Sequence, residues 1–393
     1  MKATTHRAIW LDYLRSFVTM LVVAHHAALA YPTFARFNPA HYIWSTAPIV
    51  DDSRWYGFDV FIGFNDAFFM PLMFLLSGLF VYGGLRRKGS KKYVADRLVR
   101  LGIPFLIAEL VLIPVAYLPS FYQSTQSFQL VPFGSDYVVD QQWPVGPPWF
   151  VWLLLSFDSI TALLFNYKPS FFPAIAARLA RLSQFPIRFG VLVYGVVALS
   201  FIPLSLWVGQ YTWVGHWGPF DFQLNRLLFY WLFFLLGNCL GTIDWQTYLF
   251  HQGKLLGRSQ AFWLGLSLTC YALVIIESGW GAAQVKNGQL TATEGYLLYD
   301  LVFVASCLAS IGACLSFFRN HVTTSIQIWD SLSANAYGIY IVHYGFVTWL
   351  QFILLPADWP VLIKFLVVFL GAVSLSWLSC RLIRRSPLIA RVL

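Results

Sequence analysis

The sequence predicts an all-α, polytopic integral membrane protein with about ten transmembrane helices and both termini in the cytoplasm. Three observations predict it. Only 11% of the 393 residues are charged while 58% are hydrophobic, and the mean hydropathy is +0.64. An ordinary soluble domain is roughly a quarter charged. Apolar runs near the roughly 20 residues a bilayer helix needs recur from one end of the chain to the other, so residues 1–393 read as a single membrane-embedded domain. The basic residues, finally, gather on one side of those runs.

The candidate spans, in order, are 10–32, 60–83, 98–118, 147–166, 188–208, 224–241, 260–277, 296–317, 333–354 and 361–380. The fifth is the least sharply bounded, and the sixth and seventh are short. Buried helices of a large soluble core are the alternative, but ten of them leave no polar surface to cover it. Seventeen Trp, 20 Tyr and 36 Phe suit a packed bundle with aromatic residues at the membrane boundary.

An even number of spans puts both termini on one side. Lys2, Arg7, Arg86, Arg87, Lys88, Lys91, Lys92, Arg97, Arg100, Lys168, Arg178, Arg181, Arg188, Lys254, Arg258, Arg319, Arg381, Arg384, Arg385 and Arg391 fall there, 20 of the 26 basic residues. Arg36, Arg54, Arg226 and Lys286 fall opposite, and Arg15 and Lys364 within or at the ends of spans. That bias makes the first side cytoplasmic. It accounts for the net charge of +9 with no nucleic acid as partner. The basic loop 84–97 reads as a cytoplasmic anchor beside anionic lipid.

The first span lacks a small-x-small cleavage site and carries Arg15, His25 and His26, which argues against a cleaved signal peptide. Five Cys are scattered without CxxC spacing, so neither a disulfide framework nor a metal site is indicated. Outside, the segment 31–59 carries Pro32, Pro39 and Pro48, and the segment 119–146 has no Lys or Arg. Trp207, Tyr211, Trp213, His216 and Trp217 form an aromatic patch near the fifth outer turn. Lipid anchoring and stacking against a sugar ring both remain open for it.

Ionisable groups inside a bilayer are costly, face the bundle interior and mark sites. Arg15 and His26 are eleven residues apart, close to three full turns, so they share a helix face about 16 Å apart. Thr19 lies on the same stripe, and His25 points about 100° away from His26. Asp12 is placed to pair with Arg15. A snorkelling Arg15 and a structurally hydrogen-bonded His26 are the alternative. Glu109 sits mid-span and must be paired or protonated. Asp66 and Asn65 lie in the outer part of the second span, and Asp300 near the outer end of the eighth. His343 is mid-span in the ninth, with Tyr340 one turn before it. A membrane histidine is a sensible general base, because its reference pKa is near neutrality. No HExxH, GxSxG or P-loop pattern is present.

Several stretches together resemble a known family. Leu11-Asp12-Tyr13-Leu14-Arg15 followed by His26 resembles the Arg-x10-His motif of the membrane acyltransferase family 3. Phe74-Leu75-Leu76-Ser77-Gly78 resembles its FFxxSGF span, and Arg97-Leu98-Val99-Arg100 leading into Pro104 its Arg-x-x-Arg motif. Gly146-Pro147-Pro148-Trp149-Phe150 resembles its G-x-LWF stretch, with Pro148 where the family usually has a bulky apolar residue. Phe233-Phe234-Leu235-Leu236-Gly237 and Tyr337-Gly338-Ile339-Tyr340-Ile341-Val342-His343 resemble its sixth- and ninth-span patterns. Within the family, the Trp-rich outer loops and span lengths look most like the glucan-biosynthesis branch.

The resemblance implies a cytoplasmic acyl-coenzyme A donor, acetyl-CoA or succinyl-CoA. It implies acyl transfer to a hydroxyl of a glycan or glycolipid, by a multi-pass protein of the inner (plasma) membrane. His26 and Arg15 are then the catalytic candidates. Arg97 and Arg100 are candidate donor-binding residues, although the positive-inside bias also explains both. His343, Tyr340, Glu109 and His25 are supporting or alternative residues. A transporter using Arg15, Glu109, Asp66 and His343 as a substrate or proton path is the rival reading. A polytopic scaffold without chemistry is a third.

The topology is testable in intact cells. In a background without the five native cysteines, a cysteine placed within 119–146 is expected to label with a membrane-impermeant reagent. A cysteine at Gly89 is expected to stay protected until the membrane is opened. The reverse pattern inverts the orientation.

Overall fold

The computed structural model describes residues 9–215, 218–251, 253–387 and 389–392. Lys2, Arg7, His216, Trp217 and the side chain of Arg391 lie outside the described set.

The chain opens with α1 (Ile9–Ala28), then α2 (Tyr56–Gly78) and α3 (Val81–Lys88). The segment read as a basic loop, 84–97, is instead a helical hairpin. It is made of the end of α3 and of α4 (Ser90–Arg97), reversing at Gly89 with φ of +72°. Glycine takes that left-handed conformation without a Cβ penalty, and Lys88 pairs with Asp96 at 2.5 Å across the turn. The run continues through α5 (Ile103–Ile107) and α6 (Ile113–Thr125), joined by π-helical turns at Leu98–Gly102 and Ala108–Leu112. Pro104 has no N–H to return to the Arg100 carbonyl, and Pro119 none for Val115. Both carbonyls find donors on a later helix: Tyr337 Oη at 2.8 Å and Trp349 Nε1 at 2.9 Å.

The segment 119–146 also departs from the loop expected of it. Helix α6 runs on to Thr125, and α7 (Leu130–Ser135) leads into a π-helical turn at Asp136–Asp140. Ser120 donates to the Pro48 carbonyl at 2.6 Å and Tyr42 to Asp136 at 2.5 Å, so this polar helical cap is tied to 31–59. Hydropathy cannot register a helix whose outer turns lie beyond the apolar layer.

Next come α8 (Trp149–Tyr167), α9 (Phe171–Leu182) and α10 (Pro186–Val208). The all-α expectation is modified by one short antiparallel pair, β1 (Trp213–Val214) with β2 (Phe222–Gln223), with Trp213 opposite Gln223. The remaining long elements are α11 (Leu227–Leu240), α12 (Trp245–Phe250), α13 (Gln260–Lys286), α14 (Ala292–His321), α15 (Gln327–Leu354) and α16 (Val361–Ile383). Helix α13 is longer than the short seventh span expected, because its polar and small residues from Glu277 onward stay helical against α14. Helix α14 starts with a capping box between Thr291 and Glu294.

Among the described residues, eight helices are long and apolar enough to cross a membrane. Helix α1 and the segment Leu224–Leu240 occupy the first and sixth expected spans. The first is made less apolar by Asp12, Arg15, His25 and His26, and the second is shorter.

Helices α2 and α11 cross at backbone contact. A Cβ on Gly78 would lie 2.2 Å from the Phe234 carbonyl oxygen, and one on Gly237 2.2 Å from that of Leu75. Small residues permit such approach in membranes, where packing replaces the missing hydrophobic drive between helices. Aromatic rings fill the surrounding core, with Phe74 stacked on Tyr230 and edge-on to Phe150. Gly237→Ala is therefore expected to destabilise by about 1–3 kcal/mol, the usual cost of overpacking. Fluorescence-detected size-exclusion after a heating series checks it. Gly265→Ala, on α13 with open space around its Cβ, is expected to melt like the parent.

Candidate functional site

The site begins at the carboxyl end of α1. His26 is half-buried and His343 of α15 fully buried. His26 Nδ1 lies 3.0 Å from His343 Nε2, and His343 Nδ1 lies 2.6 Å from the Tyr340 carbonyl oxygen. A carbonyl only accepts, so His343 Nδ1 carries the proton of its neutral ring and Nε2 accepts. His26 Nδ1 must then donate, which also suits the Val22 carbonyl one turn back. The network leaves His26 Nε2 as an unprotonated nitrogen, and it makes no hydrogen bond among the described residues. The two helices are further clamped by Gln351, whose side-chain amide donates to the His26 and Ala27 carbonyls at 3.1 Å each. The Ala27 carbonyl is one that the helix end leaves without a backbone donor, while that of His26 also accepts from the Leu29 amide at 3.3 Å.

His25 is placed differently. It stacks on Phe69 at 5.1 Å between ring centroids, and its Nδ1 is buried without a hydrogen bond among the described residues. The helical geometry thus separates the adjacent imidazoles into one joined to a relay and one packed on an aromatic ring.

Below this pair lies a cavity of about 910 Å³. Arg15, Arg87, Arg97 and Arg100 line it, together with Thr19, Ser77, Tyr337 and Tyr340. Arg15 sits over the Phe80 ring at 5.0 Å. Arg97 Nε donates to Tyr93 Oη at 2.9 Å and lies 3.1 Å from Asp158, whose other oxygen accepts from Tyr93 at 2.6 Å. Its two terminal nitrogens make no hydrogen bond among the described residues. Tyr340 spans the structure between cavity and histidines. Its ring lines the cavity, its hydroxyl donates to the Pro147 carbonyl, and its own carbonyl holds His343.

The candidates read from sequence therefore converge, except Glu109 and His25. Arg15, Arg97, Arg100 and Tyr340 share one cavity, and His26 and His343 form one hydrogen-bonded pair. Glu109 is only 1% exposed, and neither of its oxygens has a hydrogen-bond partner among the described residues. Of the two outcomes its mid-span position left open, pairing and protonation, pairing is not found among the described residues. Arg87, Tyr93 and Asp158 were passed over. Asp158, a carboxylate within the fourth span, carried the same signal as Glu109; Arg87 was hidden inside a basic run with an adequate topological explanation.

The fold and site are those of a polytopic helical membrane protein with a basic cavity leading toward the His26–His343 pair. The chain belongs to acyltransferase family 3, whose model, described as an acyltransferase domain, matches residues 8–381. It is similar to proteins named glucans biosynthesis protein C from Salmonella schwarzengrund, Salmonella typhi and Salmonella typhimurium. Each is 24% identical over 400 residues, covering 98% of this chain and 93% of the relative. No solved structure matches.

Because Glu109 has no ion pair or hydrogen bond among the described residues to give up when neutralised, Glu109→Gln is expected to keep or raise the folded yield. Asp158→Ala is expected to lower it, by leaving Arg97 with an uncompensated, largely buried charge. Detergent-solubilised yield and melting temperature of the two variants check the contrast.

Proposed function

We propose that this protein transfers an acyl group, acetyl or succinyl, from acyl-coenzyme A to a hydroxyl of a glycan or glycolipid of the cell envelope. It does so from the inner membrane, with ten spans and cytoplasmic termini. The observation that carries this reading is the cavity itself. Four arginines stand along it, and Tyr340, whose carbonyl orients the histidine pair, forms part of its wall. Family membership supports acyl transfer, and the relatives' printed name favours a glucan acceptor.

Coenzyme A presents a 3′-phosphate, a pyrophosphate and then a long pantetheine arm ending in the thioester. Arg87, Arg97 and Arg100 bind the phosphates, and Arg97 is pre-oriented for this by Tyr93 and Asp158. The arm runs along the α1 face past Arg15 and Thr19. From Thr19 to His26 is seven residues, about 10 Å along the axis, which the arm can span. His26 Nε2 takes the proton of the acceptor hydroxyl as its oxygen attacks the thioester carbonyl. The tetrahedral adduct collapses with cleavage of the C–S bond, and the thiolate leaves with the proton from His26. Transfer is direct and the ring returns to its starting form. As His26 gains a proton on Nε2, its Nδ1–H is polarised toward His343, which is held by the Tyr340 carbonyl and cannot turn away. His343 is a positioning residue.

His26→Ala is expected to lower transfer by about 10² to 10⁴-fold with coenzyme A affinity nearly unchanged. His25→Ala costs far less. His343→Ala removes the acceptor that sets the His26 tautomer and is expected to cost about tenfold or more, on the order of one lost hydrogen bond. His343→Gln, whose amide oxygen can accept from His26 Nδ1, is expected to recover part of it. Arg97→Ala raises the KM for the donor. Initial rates against donor concentration for purified variants check this, and near-normal transfer by His26→Ala at saturating substrates would place the base elsewhere.

A further inference from the structure

A second cavity, of about 250 Å³, lies where α2 begins, between α2, α13, α14 and the segment after α10. It shares no lining residue with the arginine cavity. Tyr56, Tyr211, Tyr271 and Tyr299 stand around it, with the carboxylates of Asp59 and Asp66. It is below the roughly 300–1,000 Å³ of pockets for drug-sized ligands, so it suits one small unit.

Its walls are held in place. Tyr271 Oη donates to the Val60 carbonyl at 2.6 Å, and Gly63 gives it passage, since a Cβ there would lie 2.7 Å from that hydroxyl. Asp59 accepts from the Thr33 hydroxyl at 2.6 Å and amide at 2.8 Å. Asp66 takes both terminal nitrogens of Arg226, at 2.8 and 2.5 Å. The Arg226 side chain is 4% exposed and that of Asp66 24%, so the carboxylate faces the opening while its counter-charge stays inside. Arg226 in turn lies 5.7 Å from the Tyr211 ring, which fixes that ring relative to the carboxylate.

We infer that this cavity is a subsite for one neutral sugar ring of the acceptor, distinct from the ring that is acylated; the inference rests on the glycan-transfer reading above. A sugar ring offers C–H faces that pack on aromatic rings and hydroxyl donors that need fixed acceptors. Tyrosines alternating with immobilised carboxylates answer both needs. A bare cation fits less well, because Arg226 neutralises Asp66 and Asp59 already accepts two hydrogen bonds. The position is also right. Asp66 lies one turn of α2 before Phe69, on which His25 stacks beside His26. Phe69 and His25 thus link the subsite's Asp66 to His26, which places the subsite on the same flank of the bundle as the reacting nitrogen.

The test uses the full chain in lipid nanodiscs, titrated calorimetrically with laminaribiose and, separately, with choline. Two variants alter the cavity: Tyr56→Ala removes an exposed ring from its rim, and Ser278→Trp fills it from the exposed face of α13. Each is expected to weaken laminaribiose by about tenfold, near the upper worth of an aromatic contact. Trp44→Ala, an exposed ring that does not line the cavity, is expected to bind like the parent. Absence of laminaribiose binding, equal binding by parent and cavity variants, equal weakening by Trp44→Ala, or choline binding in its place would each overturn the subsite. Acyl transfer measured on the same preparations separates the two readings. Transfer without disaccharide binding overturns the subsite alone. Tyr56-dependent binding without transfer supports the subsite and overturns the acyl-transfer reading.

Discussion

A cation taken out of water inside an apolar bundle has to meet a carboxylate, and among the described residues three such meetings tie the fold together. Arg97 meets Asp158, Arg226 meets Asp66, and Lys364 meets Asp51. Each joins segments distant in the chain: α4 to α8, the start of α11 to α2, and α16 to the segment after α1. Breaking a buried pair from one side costs on the order of 3–5 kcal/mol, so each pairing excludes arrangements that leave either partner alone. The bundle's register follows from these constraints together with the glycine contact of α2 on α11. Two of the three also stand at cavities, where a charge already balanced can present its remaining edge to a ligand without a further desolvation cost.

Helix α15 is the element through which the site is assembled. Its side chains satisfy backbone groups that other elements leave open. Tyr337 and Trp349 reach carbonyls that prolines release, Gln351 caps the end of α1, and the Tyr340 hydroxyl reaches Pro147. In lipid an unsatisfied carbonyl costs several kcal/mol, so these bonds place α15 against α1, the proline-interrupted run and the start of α8 at once. The histidine pair inherits its geometry from that placement. The tautomer of His26 is consequently a property of the bundle and not of His26 alone.

The two cavities divide the molecule chemically. One is basic and is lined from α1, α2, the α3–α4 hairpin, α8 and α15; the other is tyrosine- and carboxylate-rich and opens where α2 begins. A polyanionic donor and a neutral polyhydroxylated acceptor would be sorted by these walls before either reached the histidines. Under the proposed reading, Arg87 and Arg100 would serve topology and ligand binding together, since a charge that orients a span would also stand where phosphates arrive.

Composition and apolar run length determined the helical, membrane-crossing class, because burying backbone in lipid leaves few other solutions. The eleven-residue interval from Arg15 to His26 put both on one face of α1, and helical periodicity alone separated His26 from His25. Tertiary structure decided the rest. Hydropathy read 84–97 and 119–146 as loops, since it measures affinity for lipid and not helicity beyond the lipid. It could not reveal that His343 stands against His26, that Asp158 and not Glu109 holds an arginine, or that Glu109 has no hydrogen-bond partner among the described residues. Those outcomes depend on which helix faces which, settled by carbonyls freed at Pro104 and Pro119, by Gly78 against Gly237, and by three ion pairs. No local feature of the chain encodes them.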